Sequence, residues 1–548
     1  MDPSKPPPLV LPAHTTLGKY LRDIRIRHGS SLDSVPGVDG TELDDYENGF
    51  VIPRRDRLRT IIDSFHGDPI AANLLFERAT EEKESIDNQK RATNKIADST
   101  LPNSQYIGAE LTTDTRTARL SGIVSSQDRQ ETATVHCGDA LIIGAGASGI
   151  LTARNLTKMG LAVTLVDRNA IGYAQSNHSH GYMHRGHIYQ KPAQGLVDAL
   201  NSGADRWKEE FSTAGIEPLN RNAVVAFENS YNAEVASRAW QRAGLVSHRL
   251  TEAAGLRTQP GMTCFETFEE TYDFTPWFHY ANSSFLADTL TISGAAYELK
   301  RTGSKVDGIF VRTPSRNLLL TARFYILAAG TGNLGLVQTA TNFRGRALNR
   351  MSFMLVLSGR DLPKLSLVSP ENATNGLFMV SRHEPAADYW LVSNFVSFSG
   401  SECNENAAAM WARSIYRTLS RFTTVLELES GNWGIYRAPK GELRTNRNRL
   451  DKHSLQSYGL ENLIVAAPTK LTLCPLLADE VAKEIRSMNS INSSVRRYAD
   501  NHLEELRSPL PVAHERWKRT NMHPLSSLRE LSHRPLSRET TGLLTREL

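Results

Sequence analysis

The spacing of apolar residues changes several times along the 548-residue chain. Leu17, Leu21 and Ile24 recur at i, i+4 and i+7, and Leu58, Ile61, Ile62 and Phe65 fall on one face in the same way. Both ends of a unit spanning residues 15–80 are therefore predicted to be core-facing helices. Between them Thr41 is placed to cap a short helix carrying Leu43 and Tyr46, and Asn48-Gly49 to stop it. The period is lost over residues 81–135, where Ser, Thr, Asp and Gln dominate and Tyr106 is the one aromatic residue; this stretch reads as a polar linker. From 136 to 501 short apolar runs alternate with amphipathic stretches, as in an α/β domain. Residues 1–14 are Pro-rich and predicted to be disordered, and 502–548 read as a C-terminal tail of mixed charge with no assigned role.

The strongest local pattern is DALIIGAGASGILTARNLTKMGLAVTLVDRN. Ala140–Ile143 reads as a buried strand and Gly144-Ala145-Gly146-Ala147-Ser148-Gly149 as a turn. Ile150, Leu151, Ala153, Leu156 and Met159 line a helix, and Ala162–Val166 is a second parallel strand ending in Asp167 and Arg168. Each glycine has its own steric reason. Gly144 permits a tight turn, Gly146 lets a pyrophosphate approach the backbone, and Gly149 allows close helix–strand packing. Free N–H groups at the helix start suit phosphates, and Asp167 is placed to accept from an adenosine ribose. An ordinary βαβ turn leaves these four residues without a reason. Dinucleotide binding follows; FAD and NAD remain open at this point.

NHSHGYMHRGHIYQKP (177–192) comes shortly after the second strand. It resembles the Asn-Ser-Gly-x-x-His-x-Gly-x-x-Tyr segment of the FAD-dependent D-amino acid oxidase-like superfamily, nearest to its L-2-hydroxyglutarate oxidase and glycerol-3-phosphate dehydrogenase branches. Gly181, His184, Gly186 and Tyr189 match, while Ser179-His180 replaces Asn-Ser. FYILAAGTGN (324–333), with Gly330, is similar to the family's strand and turn near the cofactor. NWGIYRAPK (432–440) resembles its Gly-x-Arg-x-Pro region, and LIVAAPTKLTLCPLLADEVAKEI (463–485) its last strand, cofactor loop and closing helix. The resemblance implies an α/β fold: a Rossmann-like FAD-binding domain interleaved with a β-rich substrate domain, preceded here by a small all-α domain. It also implies flavin contacts from Gly181, His184, Gly330, Lys470, Leu471 and Thr472, beside the turn residues, Asp167 and Arg168. Pro475 suits the first turn of a closing helix whose N-terminus faces the flavin.

Charge and cysteine content narrow the picture further. Lys+Arg number 63 and Asp+Glu 59, which argues against wholesale nucleic-acid coating, and 40% hydrophobic residues exclude a disordered chain. Cys137, Cys264, Cys403 and Cys474 are scattered, without a CxxC. No run reaches membrane-span length and the start lacks a signal-peptide pattern, so a cytoplasmic protein is expected. The segment around Tyr46-Glu47-x-Gly49 and Pro53 resembles the helix-turn-helix domain of the phage-repressor (Cro/C1-type) family. Glu42, Asp44, Asp45 and Glu47 on its recognition helix, and nine Lys+Arg against eleven Asp+Glu over 15–80, oppose DNA binding there. Helical packing alone explains the unit's apolar residues.

The expected chemistry is oxidation of a small substrate at a CH–NH or CH–OH carbon by hydride transfer to flavin N5, with oxygen or another acceptor reoxidising the flavin. Arg437 is the candidate anchor for a substrate carboxylate, His184 the candidate proton handler, and Tyr189 a third candidate contact. A structural role accounts equally well for Arg437 and His184, and a core aromatic role accounts better for Tyr189. His178, His180, His184 and His187 lack a Cys or carboxylate at ligand spacing, so no metal site is expected. Tyr272, Phe274, Trp277, Phe278 and Tyr280 are read mainly as core, with an apolar pocket wall as the other possibility. A flavin monooxygenase, which needs NAD(P)H, and a flavin redox sensor acting through residues 15–80 are the competing readings.

Overall fold

The computed structural model describes residues 13–31, 34–38, 43, 46–47, 53–77, 79–80, 132–252, 256, 262–341, 347–360, 362–370, 376–394, 396, 405–423, 431–443, 455–456, 459–488 and 505–533. Its chain contacts form two compact units, Met1–Tyr106 and Ile107–Leu548.

In the first unit the predicted apolar stripes meet. Leu17, Leu21 and Ile24 of the helix Ala13–Arg27 pack with Leu58, Ile61 and Ile62 of the helix Arg55–Ser64, and Leu43, Tyr46 and Phe65 complete the core. The Ala13–Arg27 helix starts two residues inside the stretch predicted to be disordered. Glu47 corrects the reading of an outward-facing acidic helix. It is 3% exposed and accepts from Arg25 Nε at 2.5 Å and Arg25 Nη2 at 2.8 Å, so this carboxylate is neutralised inside the unit. Thr41, Glu42, Asp44, Asp45 and Asn48-Gly49 lie outside the described residues, as do 1–12 and nearly all of the expected linker.

The second unit is built on a sheet that runs Leu455–Gln456, Leu463–Ala466, Phe324–Leu327, Ala140–Ile143, Val163–Asp167, Leu290–Ser293. All neighbours are parallel except the first pair, with Ala140 opposite both Val163 and Phe324. Ala140–Ile143 is uniformly apolar because both its faces are covered. Ala140 and Ile142 meet the helices Ala147–Lys158, Gln194–Thr213, Phe274–Ser284 and Cys474–Ser487. Leu141 and Ile143 meet a four-stranded sheet (Ala133–His136, Asn317–Thr321, Lys305–Arg312, Ala295–Thr302). The first of those strands starts within the stretch read as linker, and Ala133 pairs with Leu318.

A third, larger sheet runs from His523–Pro524 through Asn432–Leu443, Ala347–Gly359, Ala387–Ser393, Leu377–Glu384, Ser366–Ser369, Ala223–Phe227 and Thr263–Thr267 to Ser247–Leu250. The helix Glu405–Phe422 covers one face of it, burying Trp411, Ile415 and Leu419 against Phe353, Leu355 and Ile435. Residues 505–533, read from sequence as a tail without a role, are integral to this unit. Ile171 N donates to Pro511 O at 2.7 Å, Ala513 N returns to Ile171 O at 3.0 Å, and Leu525, Leu528 and Leu531 join the large sheet's core. Among the described residues no helix is long and apolar enough to cross a membrane.

Candidate active site

A cleft of about 430 Å³ lies between the central sheet and the large sheet. One end is formed by Gly144, Gly146, Ala147, Ser148, Asp167 and Arg168, at the carboxyl ends of the first two strands of the βαβ unit. This is where an open parallel sheet binds a ligand. The helix Ala147–Lys158 starts here with Gly146 as its N-cap and no side-chain cap. Asp167 Oδ2 accepts from Ala145 N at 2.6 Å and Oδ1 from Asn169 N at 2.8 Å; burial raises its pKa above the usual aspartate range against those bonds. Gly149 has no room for a side chain: a Cβ there would meet Gly144 O at 1.8 Å.

The other end is walled by residues 178–189, by Ser352 and Met354, by Ala438–Gly441 and by Ala466–Thr472. Gly181 sits at φ +69 with its Cα facing Tyr272 O, where a Cβ would stand 1.9 Å from that oxygen. His184 is 7% exposed and lines this wall beside the Tyr189 ring, 6.1 Å between centroids. Burial, aided by the Lys470 ammonium, holds its pKa down to about 4 against the pull of Glu269. It is therefore neutral at pH 7, with Nδ1 buried and without a hydrogen-bond partner in the protein. Burial holds His180 down to about 3 and His178 to about 4 in the same way. Leu471 and Thr472 lead into the helix Cys474–Ser487, whose first turn carries Pro475. Burial pushes the Cys474 thiol up to about 12, so it stays protonated.

Most of the sequence-predicted site residues meet in this one cleft: Gly144, Gly146, Ala147, Ser148, Asp167, Arg168, Gly181, His184, Tyr189, Gly330, Lys470, Leu471 and Thr472 line it. Ala145 and Gly149 lie in the turn behind it. Arg437 is not brought to the cleft. In the strand Asn432–Leu443, Ala438 and Lys440 point to the cleft, while Arg437, opposite Phe353, belongs to the alternate face with Ile435. Phe274, Trp277 and Phe278 are buried in the core around the central sheet's helices, not in the cleft wall. The cleft's aromatic lining is instead Tyr173, Tyr182, Tyr189, Tyr297 and Phe378. The four histidines do not converge: His187 packs on Trp240, His180 on Phe378 and His178 on Tyr436. Among the described residues no group of three His, Cys, Asp or Glu side chains could hold a metal ion.

Sequence reading missed two groups. Glu269 is fully buried behind His184, and Arg382, 5% exposed, donates from Nη2 to His180 O at 3.1 Å. Neither stands in a motif, and only the fold brings them to the segment 180–187.

A family model described as FAD dependent oxidoreductase matches residues 139–484, a range that holds the turn, His184 and the loop before the closing helix. The chain belongs to this family. FAD is its cofactor and it is an oxidoreductase. A probable FAD-dependent oxidoreductase of Pseudomonas aeruginosa is 24% identical over 404 residues, covering 69% of this chain and 97% of the relative. The crystal structure of the FAD dependent oxidoreductase from Pseudomonas aeruginosa superposes with a TM-score of 0.51 at 18% identity, over 71% of this chain and 98% of that one. Glycine oxidase from Geobacillus kaustophilus gives 0.52 at 15%, over 66% and 96%. L-Proline dehydrogenase from P. horikoshii gives 0.52 at 11%, over 66% and 96%. These superpositions support the fold.

The residues present fit the cofactor. Ser148 Oγ, Thr472 Oγ1, His180 Nε2, His184 Nδ1 and Tyr189 Oη are buried along the cleft without a hydrogen-bond partner in the protein. Such atoms are costly unless a ligand or water satisfies them.

Proposed function

We propose that this flavoenzyme oxidises a small carboxylate-bearing substrate at a CH–NH carbon, with CH–OH as the second substrate class, by hydride transfer to flavin N5. The turn Gly144–Gly149 with Asp167 and Arg168 would hold the adenosine and pyrophosphate, and the segment 178–189 with Lys470–Thr472 would flank the flavin ring. Bound FAD supplies the two-electron acceptor. His184, neutral and backed by Tyr189, takes the substrate's proton at its buried ring nitrogen.

One observation carries the substrate class. At the His184 end the cleft is lined by Lys440 and Lys470, and among the described lining residues the one carboxylate is Asp167, at the other end. A cationic cleft end with a neutral base suits an anionic substrate. Lys470 takes the anchoring role that the sequence suggested for Arg437. The activities named for the glycine oxidase and L-proline dehydrogenase neighbours agree with a CH–NH carbon.

The test is anaerobic reduction of the FAD-loaded protein, followed by loss of the flavin absorption band. The panel holds glycine, L-proline, other amino acids, amines, 2-hydroxy acids and glycerol phosphate. Bleaching by amino acids or 2-hydroxy acids but not by plain amines is the expected result. Bleaching by NAD(P)H alone would establish a monooxygenase instead.

A further inference from the structure

Glu269 is 0% exposed and stands at the end of the strand Thr263–Thr267, in the chain that turns into the helix Phe274–Ser284. A carboxylate so buried is expensive unless several donors compensate it. Thr267 Oγ1 donates to Oε2 at 3.4 Å, and the other donors converge from one short segment. Oε1 accepts from Arg185 N at 2.5 Å, Gly186 N at 3.1 Å and His187 N at 3.4 Å, and Oε2 accepts from Tyr182 Oη at 2.5 Å. His187 Nδ1 lies 3.2 Å from Oε1. Burial alone would push Glu269 up, but His187 and the Tyr182 hydroxyl hold it down to about 2. The backbone beside it is tied to the same stretch: Met183 N donates to Glu270 O and Tyr272 N to Gly181 O, each at 2.9 Å. The chain from 182 to 187 thus wraps one carboxylate, with His184 in the middle of the wrap. Glu269 does not line the cleft; His184 and Tyr182 do.

We propose that Glu269 is a positioning residue. Its ionised carboxylate shapes the Tyr182–His187 segment into the wall against which the flavin ring rests, and so sets where His184 stands. The proposal rests on the reading that His184 flanks the ring end of the bound cofactor. Tyr182, beside His187, is one of the segment's two side-chain links to the carboxylate, so it shares the role.

The experiment compares FAD with ADP as ligands of the apoprotein, each titrated by intrinsic fluorescence quenching. ADP reports the Gly144–Gly149 end alone; FAD reports both ends. In Glu269→Gln the FAD affinity is expected to fall about 10–30-fold while ADP affinity stays within about twofold, as befits loss of charged hydrogen bonds at one end. Glu269→Asp should recover part of the loss, and Tyr182→Phe, which removes one donor and leaves the carboxylate, should show a smaller version of it. Equal loss for FAD and ADP would mean a general structural role and would overturn the proposal, as would unchanged FAD binding in Glu269→Gln. If that variant fails to fold, Tyr182→Phe with unchanged FAD affinity overturns it. If wild-type protein binds ADP as tightly as FAD, it is the assignment of the His184 end to the flavin ring that fails.

Discussion

Asp167 Oδ2 accepts a hydrogen bond from Ala145 N at 2.6 Å, so the acid at the end of one strand holds the turn that leaves its neighbour. The side chain proposed to meet a ribose also fixes the loop proposed for the pyrophosphate. Asp167→Ala should therefore weaken FAD and ADP alike, by about 10–100-fold, the effect of losing a charge-assisted bond and a ligand contact. Fluorescence titration of the apoprotein with both ligands checks this; a loss for FAD alone would contradict it.

Gly149→Ala should abolish FAD retention, since the new Cβ would stand 1.8 Å from Gly144 O and neither backbone can retreat without opening the turn. Gly195→Ala is the control. It lies in the helix Gln194–Thr213, where an added methyl group would meet nothing within 4 Å, and should bind FAD normally. Flavin content of the purified variants separates the two.

Much of this was legible in the chain. Strand, turn, helix and acid of the βαβ unit are contiguous, so their roles follow from local sterics. The face of a strand is harder to read. Arg437 and Ala438 are adjacent, and only the pairing of Phe353 with Arg437 and Ser352 with Ala438 decides which one meets the cleft. Glu269 gave no signal, because all its donors but Thr267 lie more than eighty residues earlier in the chain and TFEETY reads as an ordinary polar stretch. Residues 505–533 scatter their apolar residues among prolines and charges, and only the fold shows that Leu510, Trp517 and Leu525 enter three different buried clusters.

The different placement of Lys470, in the cleft wall, and Arg437, outside it, makes a kinetic prediction. Lys470→Met should raise KM for a carboxylate substrate about 10–100-fold, the loss of one charged contact. Arg437→Met should leave KM within about threefold, less than a charged contact would cost. Steady-state kinetics on the compound that bleaches the flavin fastest decides, and the reverse pattern would restore Arg437 as anchor.

Acid should destabilise the apoprotein in a defined window. His178, His180 and His184 fall from 6.5 to about 4, 3 and 4 on folding, so between pH 6.5 and 4 the unfolded chain takes up protons that the folded one refuses. Stability is then full above 6.5 and falls with pH, by at most about 1.4 kcal/mol per pH unit per histidine. Melting temperatures measured across this range should drop, and His180→Asn should flatten the drop. A wild-type profile flat to about pH 4 would refute the buried neutral state.

Ending the chain at residue 504 should give a protein that does not retain FAD. It would lose the pairing of Ile171 with Val512 and the bond from Asn177 Nδ2 to Ala513 O at 3.1 Å, and uncover Trp433 and the large sheet's edge. Asn177→Ala is the milder probe and should cost about 1 kcal/mol, read as a small fall in melting temperature with FAD content retained.

The strand order of the central sheet also bears on how the protein is made. Ala140–Ile143 emerges early from the ribosome, yet one of its two neighbours is Phe324–Leu327, and the next strand out is Leu463–Ala466. Pairings that span so much chain form late. The nascent oxidoreductase body must hold the apolar strand Ala140–Ile143 unpaired on one side until Phe324–Leu327 has been synthesised. The helices of the first unit face no such delay, because Leu17, Leu43 and Ile61 find one another within a single short stretch. Chaperone dependence and aggregation of stalled chains should accordingly concentrate in products that stop between the second and the last of those strands.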